Sequence, residues 1–152
     1  MSSEQFVPED FEPPRALEIE RFRLEPLGPE HNESDLAAWS SSIEHIRATK
    51  GYPDGSWPPA GVMSPEQNLA DLTRHAADFE ARRGFTFTVL DPGSDEVIGC
   101  VYLYPSSARE HDVEVQSWVT AGRAELDGPL ADAVAAWLVD EWPWERPDRH
   151  GR

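Results

Sequence analysis

The side chains that could do chemistry crowd the stretch from Tyr102 to Gly128. Glu114 stands in Val113-Glu-Val-Gln-Ser-Trp-Val119, an alternating run that sets its carboxylate on the face opposite Val113 and Val115. A carboxylate so placed can take a proton from an ammonium group or relay it through water. On a very acidic chain such a residue is more often a solvated strand position. His111 and Asp112 precede it and could share the task. Tyr102 and Tyr104 lie in the run before and could donate a proton, although strand tyrosines more often simply half-bury themselves. Cys100 sits in the apolar Ile98-Gly-Cys-Val101 and reads as a small core residue, not a nucleophile. The five histidines, at 31, 45, 75, 111 and 150, show no ligand spacing with a third partner, so no metal site is expected. Neither a Gly-Xaa-Ser-Xaa-Gly elbow nor a phosphate-binding P-loop is present, which removes serine-hydrolase and nucleotide-hydrolase chemistry.

These groups need a scaffold, and hydrophobic periodicity supplies one. Alternation predicts a strand from Arg21 to Leu27, ended by Gly28-Pro29. Leu36, Trp39, Ile43 and Ile46 share one helical face between residues 32 and 47, with three serines at 40–42 predicting a break. The segment from Gly51 to Gly61 carries three Gly and three Pro around Tyr52 and Trp57 and is expected to be an aromatic-anchored loop. Ser64-Pro-Glu-Gln67 is a helix start, with Ser as cap, Pro first and Gln third. That helix should bury Leu69, Leu72, Ala76 and Phe79 and stop at Gly84. Phe85–Leu90 and Glu96–Tyr104 form a strand pair around Asp91-Pro-Gly-Ser-Asp95, and Val113–Val119 is a further strand. A last helix runs from about Leu126 to Glu141 on Leu130, Val134, Trp137 and Leu138, ended by Pro143.

At 152 residues the chain is one domain with enough apolar and aromatic content for a core. Residues 1–20, with six carboxylates against one Arg, are expected to be an acidic Pro-containing arm pinned by Phe6 and Phe11. Residues 21–142 form the domain and 143–152 a short tail. The net charge of −16 repels phosphate backbones and anionic lipid, so neither nucleic acid nor membrane is an expected partner, and it suits a cationic amine. One cysteine excludes an intrachain disulfide, and the acidic N-terminus lacks a secretion signal, so the cytoplasm is expected. Twelve Arg against one Lys suggests a GC-rich bacterial genome.

In this order the elements resemble the GCN5-related N-acetyltransferases. The resemblance spans roughly Ala16 to Trp142 and includes Arg23-Leu-Glu-Pro-Leu27 and the Val-Ile-Gly of Glu96-Val-Ile-Gly-Cys-Val-Tyr-Leu103. It implies an α/β fold, a mixed, mostly antiparallel sheet flanked by helices, and transfer of an acetyl group from acetyl-CoA to an amine of a small molecule or protein. It also implies that the strand Val113–Val119 splays from its neighbour and binds the pantetheine arm as an added strand. The backbone N–H of Val119 or a near neighbour would then polarise the thioester carbonyl. Glu114 matches a strand that can carry the catalytic base, and Tyr104 is the candidate acid for the leaving thiolate. The family's pyrophosphate turn opens on Gln or Arg and carries Gly, one residue, then Gly or Ala at a helix N-terminus.

Here the nearest match is Arg123-Ala-Glu-Leu-Asp-Gly128. Arg123 opens it, Leu126 replaces the first glycine and Gly128 is the second. Asp127 adds a negative charge, and Pro129 removes an N–H. Alternatively, Asp127 caps the helix and Pro129 fits its first turn. Residues 143–152 are too short for the strand–helix unit that completes the family's fold. Either a second subunit closes the groove, for which a strand-paired homodimer is the expectation, or the chain is a non-catalytic binding or dimerisation module.

Overall fold

The computed structural model describes residues 6–19, 21–49, 58 and 63–150; the loop around Tyr52 and Trp57 lies outside them. The elements in chain order are β1 (Leu17–Glu18), β2 (Arg23–Pro26), α1 (Asn32–Ser40), α2 (Ile43–Arg47), α3 (Pro65–Glu80), β3 (Phe85–Leu90), β4 (Val97–Tyr104), β5 (Val113–Val119), α4 (Asp127–Glu141) and β6 (Pro147–Asp148). The six strands lie side by side in sequence order. Each pair from β1 to β5 is antiparallel, while β6 runs parallel to β5 and touches it only at Val113 and Glu114.

Local chemistry explains most boundaries. The helical stretch from 32 to 47 breaks at Ser41-Ser42, as three consecutive poor helix formers require. Ser64 and Gln67 form a reciprocal capping box at the start of α3, with Pro65 in the first turn. At the far end of α4, Trp142 is extended (φ −118°, ψ 156°) because Pro143 disfavours the helical region in the residue before it.

The sheet is covered on both faces. α4 lays Leu130, Val134, Trp137 and Leu138 on Phe85, Phe87, Val101, Leu103, Val113 and Val115. On the other face Trp39, Ile46 and Leu72 meet Leu90, Cys100 and Trp118. This double cover is why all six residues of β3 are buried, the threonines included. Phe6, Phe11 and Trp144 add a ring cluster at one edge, with Trp142 and Trp144 stacked 5.0 Å apart and the Trp144 indole donating to the Phe6 carbonyl at 2.9 Å.

One expectation needs correction. The buried stripe of α3 runs through Asn68, Leu72 and Phe79, and Leu69 is 40% exposed. The physical reason is polar: the Asn68 amide accepts from Trp39 Nε1 (3.1 Å) and donates to Asn32 (2.8 Å) and Asp35 (3.2 Å), so it takes the inward position. The tail, too short for a further strand–helix unit, contributes the two residues of β6. Asp112 holds them in place: its carboxylate accepts from the N–H groups of Glu145 (3.1 Å) and Arg146 (3.0 Å) and from the Arg146 guanidinium (2.7 Å).

Gly99 permits the close approach of β4 and β5. A Cβ there would stand 2.5 Å from the Trp118 carbonyl oxygen, a backbone atom that cannot swing aside. Gly99→Ala is therefore expected to cost about 1–3 kcal/mol, read as a lowered urea midpoint with an unchanged slope. A midpoint equal to that of the wild type would show that the strands can part without penalty.

Candidate functional site

The site is built on β5 and begins with its register. Glu114 lies opposite Tyr104, Gln116 opposite Tyr102 and Trp118 opposite Cys100, so these six side chains share the face that looks toward α1 and α3. The N–H of Thr120 donates to the Ile98 carbonyl at 3.0 Å, continuing the same ladder. In an antiparallel pair every second residue turns its backbone groups to the partner. Residues 114, 116 and 118 therefore bond to β4, and Val115, Ser117 and Val119 direct N–H and C=O away from it. β6 covers only Val113 and Glu114. Among the described residues no strand pairs with the other edge of Val115–Val119, so the sheet opens there.

Glu114 stands where that opening starts. Its side chain is 39% exposed and its Oε1 lies 3.3 Å from Nε2 of His150, which follows β6. Tyr104, its cross-strand neighbour, turns its hydroxyl elsewhere. The phenol donates to Asp78 Oδ2 at 3.0 Å and lies 2.9 Å from His75 Nδ1, both on α3. Gly84 leaves room for the ring, since a Cβ would fall 2.0 Å from it. Burial raises the Tyr104 hydroxyl to about 12 and lowers His75 to about 4, so both are neutral near pH 7. His75 Nδ1 also lies 3.0 Å from Thr86 Oγ1. The structure thus brings Glu114 and Tyr104 onto one face while tying the Tyr104 hydroxyl to α3. Trp118 donates from Nε1 to the Tyr102 hydroxyl at 3.0 Å, which fixes both side chains beneath the same helices.

After Val119, itself 1% exposed, the chain makes a 3-10 segment from Ala121 to Leu126 and enters α4. Asp127 is the first residue of the helix, one place inside its cap position, Leu126. Gly128 is exposed in the first turn, with open space where a Cβ would project. Arg123 reaches back to Asp91, guanidinium to carboxylate at 2.5 Å. Its guanidinium holds the Asp91 carboxyl below the usual carboxylate range. Beside this turn a cleft of about 440 Å³, lined by Ser34, Ser42, Glu96, Thr120, Gly122 and Arg123 among others, separates it from α1 and α2. Ser42 spans the two by accepting from the Ala121 N–H at 2.9 Å.

No protein-family model matches the sequence, and no curated protein matches it. Solved structures do match. A GCN5-related N-acetyltransferase from Brucella melitensis superposes with a TM-score of 0.63 at 21% identity over 89% of this chain and 59% of its own. The ribosomal-protein-S5-alanine acetyltransferase from Vibrio fischeri gives 0.61 at 15% identity over 81% and 66%. A microcin C7 self-immunity acetyltransferase, solved with acetyl-CoA and AMP, gives 0.63 at 13% identity over 84% and 67%. The fold is that of the GCN5-related N-acetyltransferases. The chain spans about two thirds of the length of these acetyltransferases.

Within the acetyltransferase fold, the free edge of β5 and the turn into α4 are where the sequence resemblance places acetyl-CoA. The edge suits the pantetheine arm, because Val115, Ser117 and Val119 present backbone donors and acceptors at strand spacing. The turn suits the pyrophosphate less well. Exposed Gly128 allows approach, but Arg123 is engaged by Asp91, and Asp127 sets a carboxylate at the helix N-terminus. Sequence reasoning missed three partners: His150 beside Glu114, Asp91 beside Arg123, and the His75–Asp78 pair behind Tyr104. Nothing in the local sequence signals any of them. Among the described residues no group of three His, Cys, Asp or Glu side chains could hold a metal ion. No helix among them is long and apolar enough to cross a membrane.

Proposed function

We propose that this chain transfers an acetyl group from acetyl-CoA to an amine at the free edge of β5. The observation that carries it is the juxtaposition of strand edge and carboxylate: among the described residues no strand covers the edge presented by Val115, Ser117 and Val119, which opens where Glu114 stands. In this reading the pantetheine arm adds to the edge, and the Val119 N–H donates to the thioester carbonyl oxygen, where negative charge grows. Glu114 takes a proton from the ammonium group. The freed amine attacks the carbonyl carbon, the C–S bond breaks, and the thiolate leaves with its electron pair to be protonated by the proton the new amide nitrogen loses. Tyr104 is the candidate phenol for that last transfer. Its bond to Asp78 favours a supporting role, in which it holds the floor beneath Glu114. Gly128 and the N–H groups of the turn receive the pyrophosphate, with Arg123 contributing on release from Asp91.

The acceptor is an amine of a small molecule or protein, drawn by an acidic surface. The protein is read as acting in a bacterial cytoplasm, away from nucleic acid and membrane. Residues 21–142 form the bulk of the domain, and the segments before and after them add β1 and β6 to its sheet. Pairing of two copies along the free edge, a homodimer, would compete with or complete the groove.

Calorimetric titration with acetyl-CoA and with desulfo-CoA tests the binding step. Binding is expected, and Asp127→Asn should tighten it about fivefold, because removing a carboxylate beside the phosphates relieves roughly 1 kcal/mol of repulsion. The engagement of Arg123 by Asp91 favours one second reading, a binding or dimerisation module on an acetyltransferase scaffold. Heat-silent titrations of both proteins at millimolar ligand would decide for it.

A further inference from the structure

We propose that His150 is a positioning residue and proton acceptor for Glu114, supplied by the segment after β6; the proposal rests on the acetyltransferase reading above. Three observations carry it. First, His150 Nε2 lies 3.3 Å from Glu114 Oε1, without the alignment of a hydrogen bond, and among the described residues it is buried without a hydrogen-bond partner. A buried ring nitrogen left unpaired is costly, and it gains a donor once Glu114 carries a proton. Second, the backbone of His150 is left-handed (φ 56°), a conformation uncommon outside glycine that histidine enters more readily than most residues. One restraint is visible: the His150 N–H donates to Asp148 Oδ1 at 3.0 Å, and Asp148 pairs with Glu114 across the sheet. Third, the place is particular. The ladder ends at Asp148, opposite Glu114, and the chain turns at His150 where the β5 edge begins to open.

The chemistry follows from that placement. With an acceptor and the pantetheine arm covering the edge, Glu114 loses its access to water. The carboxylate takes one proton from the ammonium group. The imidazole then accepts it at the buried Nε2, and a proton leaves for solvent from the other ring nitrogen, the side chain being 21% exposed. Overall the ammonium group and the thioester become amide, thiol and one released proton.

His150→Gly provides the test, because glycine adopts φ 56° without strain and keeps the backbone bond to Asp148. Thiol release from acetyl-CoA would be followed with a panel of alkylamines and N-terminal peptides. Expected is an unchanged or higher melting temperature, an unchanged KM for acetyl-CoA, and kcat lower by about ten- to a hundredfold, partly restored by free imidazole. In parallel, the ring ¹⁵N resonances of His150 should move in Glu114→Gln while those of His31 stay, a readout that requires no turnover. Unmoved resonances, or a His150→Gly enzyme as fast as the wild type, would overturn the pairing alone. A wild type that turns over no amine would overturn the acetyltransferase reading and the proton relay together, whatever the resonances show.

Discussion

Glu114→Gln is expected to lower kcat for amine acetylation by roughly a hundred- to a thousandfold, with little change in the KM for acetyl-CoA. Glutamine keeps the length and shape of the side chain, so the cross-strand position opposite Tyr104 is preserved. What it loses is the ability to accept a proton. The cofactor is bound in this reading by the backbone of Val115–Val119, which the substitution does not touch, and that is why the effect should fall on kcat. Tyr104→Phe serves as the comparison. Its hydroxyl is bonded to Asp78 at 3.0 Å and not directed at the free edge, so its loss should reduce activity far less than the loss of the carboxylate. Steady-state rates over a tenfold range of both substrates would check this. A Glu114→Gln enzyme with full kcat would place the base elsewhere on the β4–β5 face.

The second large effect concerns stability and pH. Asp35 is 4% exposed beneath α3, and burial raises its carboxyl from 3.8 to about 6, the bond from Asn68 offsetting only part of this. His75 is moved the other way, from 6.5 down to about 4, chiefly by burial and next by Arg74. For Asp35 the folded state holds its proton more tightly than the unfolded chain does. Its contribution is therefore full below about pH 3.8 and is lost as the pH rises through about 6. For His75 the folded state disfavours the proton. Its contribution is full above pH 6.5 and is lost as the pH falls through about 4.

Each amounts to about 3 kcal/mol, and over the shared window the two have opposite slopes and nearly cancel. Asp91 and Asp112, whose carboxyls are held low by Arg123 and Arg146, titrate below that window. Asp35→Asn should therefore gain stability relative to the wild type by about 3 kcal/mol between pH 4 and pH 6. His75→Asn should lose a similar amount relative to it between pH 4 and pH 6.5. Urea unfolding of the three proteins at several pH values would measure both. Parallel curves for all three would mean that neither group is as desolvated as its position indicates.

What the sequence determined by itself is whatever depends on neighbours a few residues away. The strand Val113–Val119 needed only its alternation, the start of α3 only Ser64 and Gln67, the end of α4 only Pro143, and the break at Ser41-Ser42 only the local helix propensity. The element order then carried the acetyltransferase fold, because β-strands and helices of these lengths have few ways to share one core. The α3 stripe shows the limit of this logic. Periodicity chose Leu69 over Asn68, but Asn68 is drawn inward by Asn32, Asp35 and Trp39, more than 25 residues away in sequence.

The site follows the same division. Residue types singled out Glu114, Tyr104, Val119, Arg123 and Gly128, yet what each can do is set by partners that only the fold supplies. Asp91 neutralises Arg123, Asp78 takes the Tyr104 hydroxyl, and His150 arrives beside Glu114 from the end of the chain. Charge and hydrogen bonding act through space over a few ångströms, and no local pattern records which distant residue will come that close. Tertiary structure alone decided which of the candidate groups are engaged and which face the open edge of β5.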